Sequence, residues 1–235
     1  MGATSGTGLL IAQQLLQRGF SVRIVARDPD KVRRVLANRV SISRADVTDP
    51  QSVRQAIAQD YQAIFFTVAA TGGIDGRALF GSRTLIREVT YQGLVNVVRA
   101  AQASGCTGRL VLASVVGADR SSAMIKILDK IKPGLQRNLA DREVYLRTSG
   151  LDYAIVRAPI LSNGPSGETR VQIRPPTEKL IAGSRISRGD LARVMILASQ
   201  GAGACRKTFE VFATNGVPPS NEQLLSELGQ ILPER

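Results

Sequence analysis

Apolar positions along this chain recur at two spacings, one helical and one alternating, and the two take turns. Residues 9–18 (LLIAQQLLQR) carry apolar side chains at helical spacing and end at Gly19, which predicts a helix and its stop. Residues 21–27 alternate and are rich in β-branched side chains, which predicts a strand, and Asp28-Pro29-Asp30 then opens a helix. The unit repeats with a strand over 40–42, Asp49 as a cap, Pro50 at the first helical position and an apolar strand over 63–68. A loop around 71–76 leads to a long helix over 84–104 that ends near Gly105. Strands over 109–114 and 152–157 follow, the second preceded by a helix holding Leu139, Val144 and Leu146. The last third predicts a helix over 191–197, a strand over 208–212 and a terminal helix over 222–231.

Strands that are apolar on both faces and separated by helix-length segments predict a parallel sheet covered on two sides, a doubly wound α/β (Rossmann) fold. Nothing in the 235 residues reads as a linker. One domain over 1–235 is therefore expected, with 158–235 forming its smaller, substrate-side part. No apolar run approaches the roughly 20 residues that span a bilayer, and no signal peptide is visible, so a soluble cytoplasmic protein is expected.

Composition narrows the chemistry. The chain has no histidine, which removes Ser-His-Asp hydrolysis, Cys-His chemistry and His-ligated zinc. Cys106 and Cys205 stand far apart without CxxC spacing, so neither a metal site nor a disulfide framework is expected. The net charge of +12 comes mostly from scattered arginines, and aromatics are only 4%, so a stacking nucleic-acid surface is not expected. An anionic ligand, an acidic protein partner or peripheral contact with an anionic membrane surface accounts for the charge.

The opening turn carries the strongest chemical signal. Gly2, Gly6 and Gly8 form G-x-x-x-G-x-G at the entry of the first helix. A diphosphate must approach bare backbone N–H groups at the positive end of a helix, and Thr4, Ser5 and Thr7 can add hydroxyl donors. No Gly-Lys-Ser/Thr follows, so a Walker A loop is excluded. Such a turn follows a strand, yet only Met1 precedes Gly2. Because that strand is central in a doubly wound sheet, the expectation is a true start upstream; without it, a gapped sheet and weakened cofactor binding are expected. The second strand ends in Arg27, with Lys31, Arg33 and Arg34 behind it, which favours the 2′-phosphate of NADP over the bare ribose of NAD. Asp28 either opposes that preference or caps the next helix.

The turn at Gly2 to Gly8, Arg27-Asp28-Pro29, Asp46-Val47-Thr48-Asp49, the stretch 89–96, the strand 110–114, Ser149-Gly150-Leu151-Asp152-Tyr153, Arg157-Ala158-Pro159 and Ile186-Ser187-Arg188-Gly189-Asp190-Leu191-Ala192 together resemble an atypical short-chain dehydrogenase/reductase of the NAD(P)H-binding, NmrA-like group, which includes flavin/biliverdin-IXβ reductases. The resemblance implies that Asp46 and Val47 contact adenine, that Val68 and Ala69 line the cofactor ribose, and that Ser114, Pro159 and Ile160 lie near the nicotinamide.

Conventional members pair a serine with Tyr-x-x-x-Lys, whose lysine lowers the tyrosine pKa for proton exchange. Here Leu135 and Leu139 stand in that register, Tyr145 has no lysine four residues on, and Tyr153 reads as core. Ketone reduction is therefore not expected. Hydride delivery from NADPH to a flavin, quinone or tetrapyrrole remains open, with Ser114 as the candidate catalytic or cofactor-binding hydroxyl, or a strand-end cap. A non-catalytic NADP-binding redox sensor or assembly scaffold is the rival reading. Asp141 and Glu143 are expected as surface charges on different helix sides, and Asp190 as a cap or a local partner of Arg188 or Arg193.

Overall fold

The computed structural model describes residues 1–68 and 82–233. The chain opens with α1 (Gly6–Gln17), β1 (Arg23–Ala26), α2 (Pro29–Leu36), β2 (Ser41–Arg44), α3 (Pro50–Ala56) and β3 (Ala63–Phe66). It continues with α4 (Arg83–Arg87), a π-helical turn over Glu88–Gln92, α5 (Gly93–Ala103), β4 (Arg109–Val115), α6 (Ala123–Ile131), α7 (Leu135–Arg147) and β5 (Tyr153–Ala158). The last part holds β6 (Ile160–Ser162), β7 (Arg170–Arg174), β8 (Arg185–Ser187), α8 (Arg188–Gln200), β9 (Lys207–Thr214) and α9 (Asn221–Gln230).

Helix starts follow local chemistry. Asp28 accepts the backbone N–H groups of Asp30 and Lys31 at 3.0 and 3.2 Å, and Pro29 occupies the first helical position. Asp49 with Pro50 repeats the device, and α9 begins in a capping box between Ser220 and Gln223. The helix expected over 84–104 is interrupted by the π turn, which places one extra residue in the helical ladder just before Gly93.

The main sheet runs β3-β4-β5-β9-β7, with β7 antiparallel to β9 and every other pair parallel. Residues 153–158 are buried throughout, as a strand covered on both faces requires. Alternation along the strands splits the core: Val111, Val156 and Phe209 pack towards Leu191, Ile196 and Leu224, whereas Phe66, Leu112 and Ile155 pack towards Leu94, Val98 and Leu146. Each such side chain, fully removed from water, contributes about 1.5–3 kcal/mol. Cys106 is a buried free thiol and Cys205 an exposed one. Among the described residues no helix is long and apolar enough to cross a membrane.

β1 and β2 form a separate parallel pair. Between the facing edges of β1 and β3 runs a groove of about 410 Å³, lined by Ile11, Ala12, Ile24, Ile57 and Ile64 among others. Met1 occupies its outlet: its amino group donates to the Phe65 carbonyl at 2.7 Å, and its carbonyl accepts from Thr67 N–H at 3.2 Å. That is the bonding of one residue of a parallel strand against Phe66. Among the described residues β1 and β3 are thus not paired with each other, at the place where the first strand of a doubly wound sheet belongs.

Four elements depart from the sequence expectation in kind. β6 and β8 are three-residue strands paired with each other, β7 runs antiparallel at the sheet edge, and α6 fills a stretch with no predicted helix.

Candidate functional site

The glycine-rich turn packs on the C-terminal end of β3. Gly2 adopts φ +82° and Gly6 φ +57°, both in the left-handed region that side chains rarely occupy. A Cβ on Gly8 would collide with the Gly2 carbonyl and lie 2.5 Å from Thr67 Oγ1, and one on Gly2 would lie 2.8 Å from the same hydroxyl. Thr67 Oγ1 in turn donates to the Met1 carbonyl at 2.8 Å. Gly2 and Gly8 are thus required by the turn's own packing on Thr67, whereas a Cβ on Gly6 would meet no backbone and only the Arg188 side chain, at 3.7 Å.

Ser5 is the N-cap of α1 in extended conformation and makes no side-chain cap, so the first-turn N–H groups have no side-chain acceptor from their own cap residue. Thr4 is half-buried, Ser5 exposed and Thr7 buried, so Ser5 and Thr4 are the hydroxyls able to meet a ligand. The uncapped positive end of α1 beside an exposed, left-handed glycine fits a diphosphate: the donors have no cap and no backbone crowds the glycine.

Arg27 stands at the end of β1, with its side chain 77% exposed and only a long 3.9 Å approach to Asp46. Asp28 Oδ1 caps α2, one of the two roles expected for it. Asp46 Oδ1 accepts from Thr48 N–H and Oγ–H at 2.9 and 2.8 Å, shaping the turn that presents Val47. The Val47 carbonyl accepts from buried Asn96 at 2.8 Å, and its side chain lies against Gly93, where a Cβ would come within 2.9 Å. Asn96 and Gly93 therefore fix the predicted adenine-side loop, with the π turn bringing them into register. Val68 is half-buried at the edge of the core, and Ala69 lies outside the described residues.

Ser114 sits near the C-terminal end of β4, in register with Arg157 of β5. It caps no strand end. Its hydroxyl donates to Glu143 Oε1 at 2.5 Å in the interior. Pro159 is buried and Ile160 exposed just beyond β5, so Thr67, Ser114 and Pro159 line the same carboxyl edge of the sheet, where ligands of doubly wound folds bind.

Glu143 corrects the sequence expectation of a surface charge. Asp141 does lie at the surface with Arg87 and Arg137, but Glu143, two residues on, turns towards β4 and β5 and is 0% exposed. It accepts Arg157 Nε at 3.1 and 3.2 Å, Arg157 Nη2 at 2.6 Å and Arg147 Nη2 at 3.0 Å. Arg157 also reaches Asp119 at 2.9 Å, and Glu210 Oε1 stands 3.8 Å away. Burial alone would lower the Arg157 pKa, yet the Glu143 and Asp119 carboxylates hold it above the ordinary guanidinium value. Glu210 has no matched partner on Oε1, and burial pushes its pKa up to about 7. A visible signal for this network was Arg157 itself, a charge inside an otherwise apolar, buried strand, which demands a buried counter-ion.

The Asp190 carboxylate accepts from Ser187 Oγ, Ser166 Oγ and Gly167 N–H, while its own backbone N–H donates to Ser187 Oγ, so it ties the 164–167 loop to α8 and pairs with neither Arg188 nor Arg193. The leucines at 135 and 139 lie on α7, and Tyr153 is core at 1% exposure.

Residues 2–200 match the NAD(P)H-binding family. The chain is 32% identical over 228 residues to an uncharacterized chloroplastic protein of Arabidopsis thaliana, covering 92% of this chain and 76% of that one. In fold it is similar to ChuY, an anaerobilin reductase from Escherichia coli O157:H7, with TM-score 0.74, 21% identity, and 93% and 97% of the two chains covered. It is also similar to the triphenylmethane reductase of a Citrobacter species complexed with NADP(H), with TM-score 0.58, 19% identity, and 93% and 69% covered. With the match spanning the glycine-rich turn, the whole β3–β5 sheet and α8, the chain belongs to the NAD(P)H-binding family.

Proposed function

We propose that the protein is an NADPH-dependent reductase of a flavin, quinone or other conjugated acceptor. The observation that carries the reading is the pairing of an uncapped α1 N-terminus at Gly6 with an exposed Arg27 free of a close carboxylate, beside a carboxyl edge without a tyrosine-lysine pair. The first element holds a diphosphate through backbone N–H groups, and Arg27 meets a 2′-phosphate with its planar fork. Bound NADPH would supply a hydride and leave as NADP⁺.

What this chain adds is positioning. Ser114 gives its proton to Glu143, so towards a ligand it offers lone pairs and accepts, for example, from an amide N–H. Leu135 and Leu139 cannot deliver a proton, so the acceptor must stabilise the incoming electron pair itself and take its proton from water. Conjugated acceptors do so and simple ketones do not. ChuY and the triphenylmethane reductase, reductases by name on the same fold, agree with this direction.

The same engagement of Ser114 and the same leucines favour a second reading, a non-catalytic NADP-binding sensor or scaffold. Incubation with NADPH and a panel of flavins and quinones, followed by loss of reduced-cofactor absorbance, separates the two. Turnover with a conjugated acceptor and none with simple ketones is expected for the reductase; tight NADPH binding without turnover on any acceptor would overturn it in favour of the second reading.

A further inference from the structure

We propose that Arg188 is a diphosphate-binding residue, reaching from the C-terminal part of the chain across the glycine-rich turn. A Cβ built on Gly6 would find only the Arg188 side chain within 4 Å, with Nε at 3.7 Å and Cδ at 3.9 Å. An anion seated on the first turn of α1 therefore has backbone N–H groups on one side and this guanidinium on the other. The inference rests on the cofactor reading and is independent of the acceptor.

Two features of Arg188 have no explanation in the fold alone. It is the first residue of α8, where a cation faces the positive end of its own helix dipole. Among the described residues no carboxylate lies in salt-bridge range, since neighbouring Asp190 is committed to Ser166, Gly167 and Ser187. Its orientation is nevertheless fixed: Nη1 donates to Asn163 Oδ1 at 2.6 Å and, at 3.5 Å, to the Leu161 carbonyl. Gln14 of α1 bonds the Gly189 carbonyl at 3.1 Å, which pins the start of α8 beside α1. A positioned cation with donors to spare, aimed at an exposed glycine, is what a phosphate group needs from an arginine.

The diphosphate is common to both dinucleotides, so Arg188 contributes affinity and not the choice between them. Fluorescence titration of the intact protein with NADPH and with NADH tests this. Arg188→Ala is expected to weaken both by the same factor, about tenfold to a hundredfold, and to flatten the salt dependence of binding. Arg27→Ala is expected to weaken NADPH selectively. Arg188→Lys retains part of the affinity, and Asn163→Ala, which removes the anchor without touching the turn, gives an intermediate loss. Thermal midpoints near that of the wild type show that the fold is kept, and the lysine variant carries the test if the alanine variant does not fold. Arg188→Ala and Arg188→Lys binding both nucleotides within about twofold of the wild type would overturn the proposal while leaving the cofactor reading intact. A wild type that binds neither nucleotide would overturn that reading, and this role with it.

Discussion

Replacing Glu143 by Gln keeps the shape of the side chain and removes its charge from a site that is 0% exposed. Arg157, also buried, would lose the charge of its bidentate partner and, of the bonds of 3.1, 3.2 and 2.6 Å, keep only those to one oxygen, since an amide NH2 cannot accept; the carboxylates left to it are Asp119 at 2.9 Å and Glu210 at 3.8 Å. Breaking one side of a buried pair costs about 3–5 kcal/mol, because the remaining charge has already left water. Asp119 is half-exposed and compensates in part, which places the expected loss near the lower figure, about 3 kcal/mol. In urea unfolding followed by circular dichroism, with m of about 3 kcal/mol/M, the midpoint should fall by roughly 1 M. The double variant Glu143→Met with Arg157→Met should recover most of that loss, since a well-packed apolar pair often replaces a buried ion pair at no cost. A midpoint shift of less than about 0.2 M for the single variant, or no recovery in the double, would refute the reasoning.

Two other perturbations follow from the same structure. Glu210, with a folded pKa of about 7 against an ordinary 4.5, binds a proton that the unfolded chain has released between those values, so its contribution to stability falls as pH rises from 4.5 to 7 at up to about 1.4 kcal/mol per pH unit. Glu210→Gln should remove that fall, seen as a flatter plot of unfolding free energy against pH; an unchanged slope would count against the buried, unmatched carboxyl. Gly8→Ala should destabilise by about 1–3 kcal/mol and weaken NADPH binding, because its methyl meets the Gly2 carbonyl and Thr67, whereas Gly229→Ala, in α9 with nothing within 4 Å, should stabilise by about 0.5–1 kcal/mol; equal midpoints for the two would contradict the close packing at the turn.

The elements legible in the sequence were those whose periodicity runs long enough to bury a face: α1, α5, α8 and α9, and the apolar strands β3 to β5 and β9. The candidate site was marked in the sequence where a backbone requirement writes itself as glycine, at Gly2, Gly6 and Gly8, and where a strand ends in a charge, at Arg27. β6 and β8 were not, since three residues cannot show a period. β7 (RVQIR) and α6 (AMIKILDKI after the capping Ser122) did carry the alternating and helical patterns. Glu143 was placed on the right helix and the wrong side, because spacing relative to Asp141 says that two residues diverge but not which of them meets the sheet. Thr67, Asn96 and Arg188 act through neighbours 49 to 182 positions away in sequence, and only the fold brings those partners together.

The glycine-rich turn is held to the sheet through Met1 and Thr67, with the groove between β1 and β3 behind it.

The central claim is that the mouth of α1 holds a diphosphate and Arg27 the extra phosphate. Titration of the wild-type protein with NADPH and NADH, read by the fluorescence of the reduced nicotinamide, tests it most directly. One site per chain with NADPH bound more tightly than NADH is predicted; binding of neither nucleotide, or a preference for NADH, would contradict it.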